Sequence, residues 1–451
     1  MGYTTPLIEE LSHIVEVVPE EEKHRYEADR WEYLKLEGAH RGRAIAVVRP
    51  KNEAEVVETI KFCAKNKLKL TCRGGGSSVT GASVPMDTLV LDMSRMNRVL
   101  RIDGENMVVN VEAGAKLSDV EEQLNTQGFT LGQFPQSFHL ATIGGYLSTM
   151  GTGEFSGKYG GAEDSCLSLR VVLPDGSIVE TRGTDAPRSS AGPDMTRLFI
   201  GAEGSFGVIL QAKLKIYRLS GYTSKLAFKF KKFEEGLSAA KALLELDVPP
   251  AVCRVYNEQE SIYVFGEHST LMLLIYQFRS RRVADTLLGE VVDTVGRMGG
   301  LEADSKLVDR WLDTRFKYDE QLNALHLAGY IVDTVELATS WSNLNPLYQE
   351  VNLRLSQIGG VVGLGTHASH IYPQGACLYF TVIMKQNIDA YTKLWDTVGA
   401  ICKTHRATVS HHHGVGALKS ALAKREVPYN LLEKIKQALD PQGLMNTNKL
   451  L

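Results

Sequence analysis

The residues that point most directly to chemistry lie near the end of the chain, in Ser410-His411-His412-His413-Gly414-Val415-Gly416. Imidazoles titrate near pH 6.5, so three in a row offer proton transfer, or the capture of an anionic substrate, at neutral pH. Two other readings stand beside that one. A metal centre would need the rings to converge, whereas adjacent side chains on an extended chain point to opposite faces, and no acidic or cysteine partner shows ligand spacing. No metal is therefore expected. A solvated polyhistidine patch is the plainest alternative. The cysteines Cys63, Cys72, Cys166, Cys253, Cys377 and Cys402 form no CxxC pair. That argues against a zinc ribbon or a thioredoxin-type site and leaves buried free thiols as the expectation.

Three glycine-and-hydroxyl loops form the second candidate constellation. The first, Arg73-Gly74-Gly75-Gly76-Ser77-Ser78-Val79-Thr80-Gly81, follows a strand-like run. It offers consecutive backbone N–H groups unobstructed by Cβ atoms, which is a nest for a diphosphate. It lacks the Gly-Lys-Ser/Thr of a Walker loop, and no Gly-x-Gly-x-x-Gly opens a helix. The second runs from Pro135-Gln136-Ser137 through Thr142-Ile143-Gly144-Gly145 to Ser148-Thr149-Met150-Gly151-Thr152-Gly153, and the third is Glu203-Gly204-Ser205-Phe206-Gly207-Val208-Ile209. β-Turns of a sandwich would produce such loops too. A buried dinucleotide would need them all, because each polar atom left unsatisfied costs about 1 to 3 kcal/mol.

The elements that position these loops read as follows. Asn52 and Glu55 form an N-cap pair, and Val56, Ile60 and Cys63 recur on one face, which predicts a helix from about Glu53 to Lys65. Lys67 to Cys72 alternates as a half-buried strand and runs into the first glycine loop. Further strands are expected at 88–93, 107–113 and 207–219, with a hairpin over 169–181 turning at Pro174-Asp175-Gly176. From Gly221 to about Thr404 glycines thin out, helical stretches such as 282–298 dominate, and strands stand out only at 224–230 and 378–384. A helix is expected from about Tyr429 to Leu439. The expected organisation is residues 1–218 as the first domain, 219–409 as the second, and 410–451 returning to the first.

At 451 residues with 43% apolar content the chain can bury two or three cores without staples. A net charge of −3 with no basic stripe argues against nucleic acid as a partner. The first twenty residues show neither a basic n-region nor an apolar h-region, and no apolar run reaches the roughly 20 residues that span a bilayer. A cytoplasmic location follows as the expectation, with peripheral attachment to a membrane face compatible with it.

The three loops together resemble the FAD-binding module of the vanillyl-alcohol oxidase flavoprotein superfamily. That resemblance implies an α+β fold, with a PCMH-type FAD-binding module of two subdomains plus an α+β cap domain. It places Arg73, Gly74, Gly75, Gly76, Ser77, Ser78 and Val79 on the diphosphate. Gln136, Ser137, Thr142, Gly144, Gly145, Ser148, Thr149 and Thr152 would run along the flavin, and Glu203, Gly207, Val208 and Ile209 would hold the adenosine end and the isoalloxazine edge. Some members tether the flavin through a histidine or cysteine beside these loops. Here His139 is the nearest candidate, so non-covalent FAD is the expectation.

Within the superfamily, the histidine heptapeptide closely resembles that of the alkylglycerone-phosphate synthases. So do Pro187-Arg188-Ser189-Ser190-Ala191-Gly192-Pro193-Asp194, Gly375-Ala376-Cys377-Leu378-Tyr379-Phe380, Asp440-Pro441 and Asn448-Lys449-Leu450-Leu451. The resemblance implies Tyr379 as a proton donor or acceptor beside the flavin, His411, His412 and His413 assisting it, and Arg188 near a substrate phosphate. Taken alone, a tyrosine in an apolar strand is usually a core residue with a satisfied hydroxyl. The implied reaction exchanges acyl for alkyl on acyl-dihydroxyacetone phosphate through a flavin N5 adduct, without net redox change. A small-molecule or lipid substrate is implied, and a homodimer is the expected assembly. One departure is that Leu322-Asn323 stands where the synthases carry an arginine on a cap helix. The alternative branch is the FAD-dependent D-2-hydroxy-acid dehydrogenases of the D-lactate and glycolate type. Their Pro-Arg-Ser/Thr after a cap strand is Val335-Glu336-Leu337-Ala338-Thr339-Ser340-Trp341 here, and their Glu-His pair is His412-His413.

Overall fold

The computed structural model describes residues 5–317 and 319–451. Its first unit begins as the capping pattern predicts. Asn52 Oδ1 accepts the Glu55 N–H at 3.0 Å and the Glu55 carboxylate accepts from the Asn52 amide, starting the helix Glu53–Asn66. That helix ends on Lys67 in the left-handed region, so the following strand, Leu70–Arg73, starts three residues later than the alternation suggests. It completes a parallel three-stranded sheet in the order Arg43–Val48, Met86–Asp92, Leu70–Arg73. A second, antiparallel sheet runs Val99–Asp103, Val108–Glu112, Val208–Lys215, Cys166–Val172, Ile178–Glu180. These are the two subdomains of the glycine-loop module, and each carries its own apolar core.

The second unit corrects the helical picture drawn from sequence. It is built on a seven-stranded antiparallel sheet in the order Leu301–Ala303, Tyr222–Phe230, Thr270–Phe278, Val252–Tyr256, Val361–Tyr372, Gly375–Lys385, Tyr330–Ser340. Central strands such as Thr270–Phe278 are covered on both faces, so they read as continuous apolar runs with no period-2 signal. One face packs under the helices Phe233–Leu243, Arg281–Arg297, Trp341–Ser356 and Ile388–His405. Ala227, Val252 and Leu273 on the other face meet Phe155 and Tyr159 of the first unit.

After that sheet the chain goes back to the first unit. Leu70 donates to Leu444 O and accepts from Asn446 N–H, both at 2.8 Å, which zips the C-terminus to the parallel sheet. The helix Tyr429–Leu439, found where its apolar stripe predicts, lays Leu432, Ile435 and Leu439 against the core of the antiparallel subdomain. Among the described residues no helix is long and apolar enough to cross a membrane.

Candidate active site

The three glycine loops do converge. A Cβ on Gly74 would lie 2.1 Å from Thr142 Oγ1, and one on Gly75 would lie 1.8 Å from the Leu140 carbonyl, so the first two loops touch only because both positions lack side chains. The third joins them through Glu203 N–H to Ser148 O at 2.9 Å. Among the described residues, no protein acceptor takes the N–H groups of residues 75–79. A row of unclaimed, partly accessible amides fits a diphosphate, and beside it Thr142 caps the short helix Ile143–Ser148 by accepting from the Gly145 N–H.

Two of the expected cofactor contacts have other work for their side chains. The Glu203 carboxylate accepts from the N–H groups of Val415 and Gly416, and Asn446 donates to its backbone carbonyl, so it clamps the C-terminal loop onto the third glycine loop. The Arg73 guanidinium is buried beneath Gly76 and donates to the carbonyls of Tyr26 and Ala28, pinning the N-terminal segment. Their place in the cradle is as scaffolding. Arg188 lies in an exposed stretch and is not gathered to Tyr379 or the histidines, because the 183–195 segment runs over the surface without secondary structure. His139 packs edge-on against Phe138 and Phe316 where the two units meet.

Sheet register builds the reacting row. Tyr256 pairs with His367, His367 with Tyr379, and Tyr379 with Glu336, so four polar side chains from four adjacent strands stand on one face. Arg254 shares that face two residues from Tyr256. Its Nη2 lies 2.7 Å from His367 Nε2, while His367 Nδ1 lies 2.8 Å from Glu260 Oε1. The His367 ring stacks on Tyr379 with centroids 4.6 Å apart.

Glu336 explains why the three histidines cluster. It is fully buried and accepts the N–H groups of His411, His412 and His413 at 2.9, 3.2 and 3.1 Å, with Ser410 Oγ and Lys419 Nζ at 3.2 and 3.3 Å. Three successive amides aimed at one carboxylate bend the chain, so the rings fan toward the same site instead of alternating as an extended strand would require. The sequence argument against convergence therefore fails at its geometric premise. His411 and His412 Nδ1 atoms are 2.9 Å apart, and one ligand atom each of His370, His411 and His412 lies within 4.8 Å of the others. Burial disfavours the Glu336 carboxylate, but its close approach to the His413, Lys419 and His412 side chains more than offsets that and holds Glu336 well below the ordinary range. Burial drives His411 down to about 4 and His413 to about 3, so both rings are neutral at pH 7. Tyr379 Oη is 3.2 Å from His412 Nε2, and burial pushes its own titration well above 10. A buried, neutral hydroxyl against an imidazole is suited to giving and retaking one proton.

Several residues of this site had no sequence signal. Glu336, His367 and Arg254 are recognisable only through cross-strand pairing. His370 sits at a strand irregularity with φ +50, its Nδ1 2.7 Å from Ser156 Oγ. Arg315, on the cap helix side, lies seven residues before the Leu322 position. It donates to Glu154 at 2.8 Å, lies against Phe134, Phe155, Trp311 and Phe316, and lines a cavity of about 290 Å³ between the two units.

Comparison with known proteins agrees with this geometry. Residues 44–182 match the family described as FAD binding domain, and residues 222–450, half of the chain, match FAD linked oxidases, C-terminal domain. An alkyldihydroxyacetonephosphate synthase from Dictyostelium discoideum is 28% identical over 447 residues, spanning 90% of this chain and 73% of that protein. A D-lactate dehydrogenase from Archaeoglobus fulgidus is 25% identical over 460 residues, 98% of each. A solved structure of an alkyldihydroxyacetonephosphate synthase shares the fold with a TM-score of 0.82 at 23% identity, covering 98% of this chain and 85% of that one. A p-cresol methylhydroxylase structure does so at 0.77 and 14%, covering 99% and 97%. An open amide nest, three converging glycine loops and a buried acid-base cluster thus belong to an FAD-dependent enzyme, and the chain is a member of the FAD-linked oxidase family.

Proposed function

We propose that this enzyme exchanges the acyl group of an acylated dihydroxyacetone phosphate for the alkyl group of a fatty alcohol, with FAD held non-covalently. The observation that carries the reading is the Glu336-anchored histidine fan against Tyr379, in a chain whose relatives include the alkyldihydroxyacetonephosphate synthases. FAD, when bound, would supply a nucleophilic nitrogen for exchange at the substrate carbon. The chain supplies the proton chemistry. Departure of the carboxylate needs no proton, but the incoming alcohol must lose one, and Tyr379 with His412 is placed to take it. Arg254, buried beside Tyr256 and His367, and the half-buried Arg315, paired with Glu154, are the candidates for the substrate's anionic head. The cavity beside Arg315 joins the apolar Phe134, Phe138 and Phe316 to polar groups such as Gln277, so part of a substrate chain could lie against the three rings. The same proposal has the enzyme working as a homodimer in the cytoplasm, in peripheral contact with a membrane face.

A second reading, oxidation of a D-2-hydroxy acid, is favoured by the near-complete mutual coverage with the D-lactate dehydrogenase. Incubating the yellow holoprotein with palmitoyl-dihydroxyacetone phosphate and hexadecanol separates the two. Ether lipid detected by mass spectrometry, and lost in Tyr379→Phe with FAD retained, supports exchange. Absence of ether together with 2-oxo acid from D-lactate would replace it with the oxidase reading.

A further inference from the structure

The site described above has an outlet. Tyr379 is only 8% exposed, and its hydroxyl begins an unbroken series of contacts. Tyr379 Oη is 3.2 Å from His412 Nε2, His412 Nδ1 is 2.9 Å from His411 Nδ1, and His411 Nε2 is 2.9 Å from Tyr372 Oη. Tyr372 is partly exposed at the end of the hairpin that joins Val361–Tyr372 to Gly375–Lys385. We propose that Tyr379, His412, His411 and Tyr372 form a proton wire that carries the alcohol's hydroxyl proton from the buried site to the hairpin tip, with Tyr372 as its positioning residue at the exit.

The polarity of the wire follows from Glu336. A carboxylate only accepts, and His412 Nδ1 also lies 3.2 Å from Glu336 Oε2, so His412 carries its hydrogen on Nδ1. Its Nε2 then accepts from Tyr379, and its Nδ1–H, shared between Glu336 and His411, leaves His411 Nδ1 as an acceptor. His411 must therefore carry its hydrogen on Nε2, donated to Tyr372. The two rings are in opposite tautomers, each fixed by the hydrogen bond the other nitrogen makes. Outward transfer balances atom by atom. The Tyr379 hydrogen moves to His412 Nε2, the His412 Nδ1 hydrogen to His411 Nδ1, the His411 Nε2 hydrogen to Tyr372 Oη, and the Tyr372 hydrogen leaves. Tyr379 is refilled by the alcohol. The buried Glu336 carboxylate stabilises positive charge in transit on His412, and the carboxylates of Glu163 and Asp164 act on Tyr372 at the exit. Ser156 holds His370 beside both rings, and burial with the two neighbouring imidazoles keeps His370 well below its ordinary titration, so it does not divert the proton.

The need for an outlet rests on the proposed function. Ester plus alcohol gives ether, carboxylate and one proton; oxidation of a hydroxy acid likewise releases the hydroxyl proton once the hydride has gone. The test has two arms on FAD-loaded enzyme and Tyr372→Phe, a substitution at a partly exposed hydroxyl. In the first, [15N]histidine NMR should show His411 and His412 as opposite tautomers, assigned by His411→Asn and His412→Asn, with His411 shifted in Tyr372→Phe. Two identical tautomers would overturn the wire whatever the substrate is. In the second, kcat in Tyr372→Phe should fall by roughly 10 to 100 fold at unchanged KM, less than the 10² to 10⁴ expected when the proton-transferring group itself is removed. Added imidazole buffer should restore part of the loss, an effect that mere packing would not produce. Unchanged kcat, or a fall indifferent to buffer, would refute the outlet, as would a stoichiometric divalent metal that is lost in His411→Asn, since a metal on His370, His411 and His412 would occupy the same nitrogens. If neither ether nor 2-oxo acid forms, the functional reading fails while the NMR arm still decides the wire.

Discussion

Replacing Glu336 by glutamine perturbs the site at the single group that organises it. The side chain keeps its volume but loses its charge, and its NH2 end faces backbone donors. In the native site the carboxylate accepts three backbone N–H groups and faces Lys419 at 3.3 Å, with both side chains essentially without solvent. Breaking a buried ion pair by removing one partner costs about 3 to 5 kcal/mol, because the other charge is left unpaired. At least one amide of His411, His412 or His413 also loses its acceptor, a further cost of about 1 to 3 kcal/mol if nothing replaces it. Taking the charge loss alone and an m-value of about 3 kcal/mol/M, the urea midpoint for release of FAD should fall by about 1 M or more. The pH dependence supplies a second signature. Because the folded Glu336 lies below its unfolded value, its contribution is complete above about pH 4.5 and is lost as pH falls through the folded value. The wild type should lose stability there, and Glu336→Gln should lack that part of the slope. Flavin fluorescence during urea titration at pH 7 and in steps down to pH 3 measures both. A midpoint within 0.3 M of wild type (about 1 kcal/mol at that m-value) would show that the histidine fan does not depend on this carboxylate.

Gly75→Ala would put a methyl group 1.8 Å from the Leu140 carbonyl, so the variant should purify colourless or unfolded, and a normal flavin spectrum would refute the loop contact. Arg188→Ala should leave KM and kcat within about twofold, since a contact worth the 1.5 to 3 kcal/mol of a charged hydrogen bond would raise KM at least about tenfold. Lys449 is buried against Thr71 and Asn446, and burial lowers it from 10.5 to about 7. The unfolded chain then binds more protons between pH 7 and 10.5, so wild-type stability should rise across that window, and Lys449→Met should flatten the rise in thermal unfolding scans.

How much of this was legible in the sequence depends on whether the signal is local. The Asn52–Glu55 cap, the Tyr429–Leu439 stripe and the glycine loops are encoded within a few residues, and each appears where its pattern places it. The histidine run marked the site, but its conformation did not follow from its own sequence. Glu336, 75 residues upstream of His411, bends it from a neighbouring strand. The row Tyr256, His367, Tyr379 and Glu336 exists only through antiparallel register between four strands, two of which are apolar enough to hide their alternation. Around Arg188 the resemblance is strong, and the structure shows that segment on the surface. The α+β class and the FAD module were readable; the sheet beneath the cap was not, because fully covered strands lose the period that betrays them.

The central claim is tested most directly by following the flavin band anaerobically while each substrate set is added to the holoenzyme. Acylated dihydroxyacetone phosphate with a fatty alcohol should yield ether lipid over many turnovers while the oxidised spectrum returns at the end, and D-lactate should leave the band unbleached. Stoichiometric bleaching by D-lactate or another 2-hydroxy acid, with no ether lipid formed, would contradict the account.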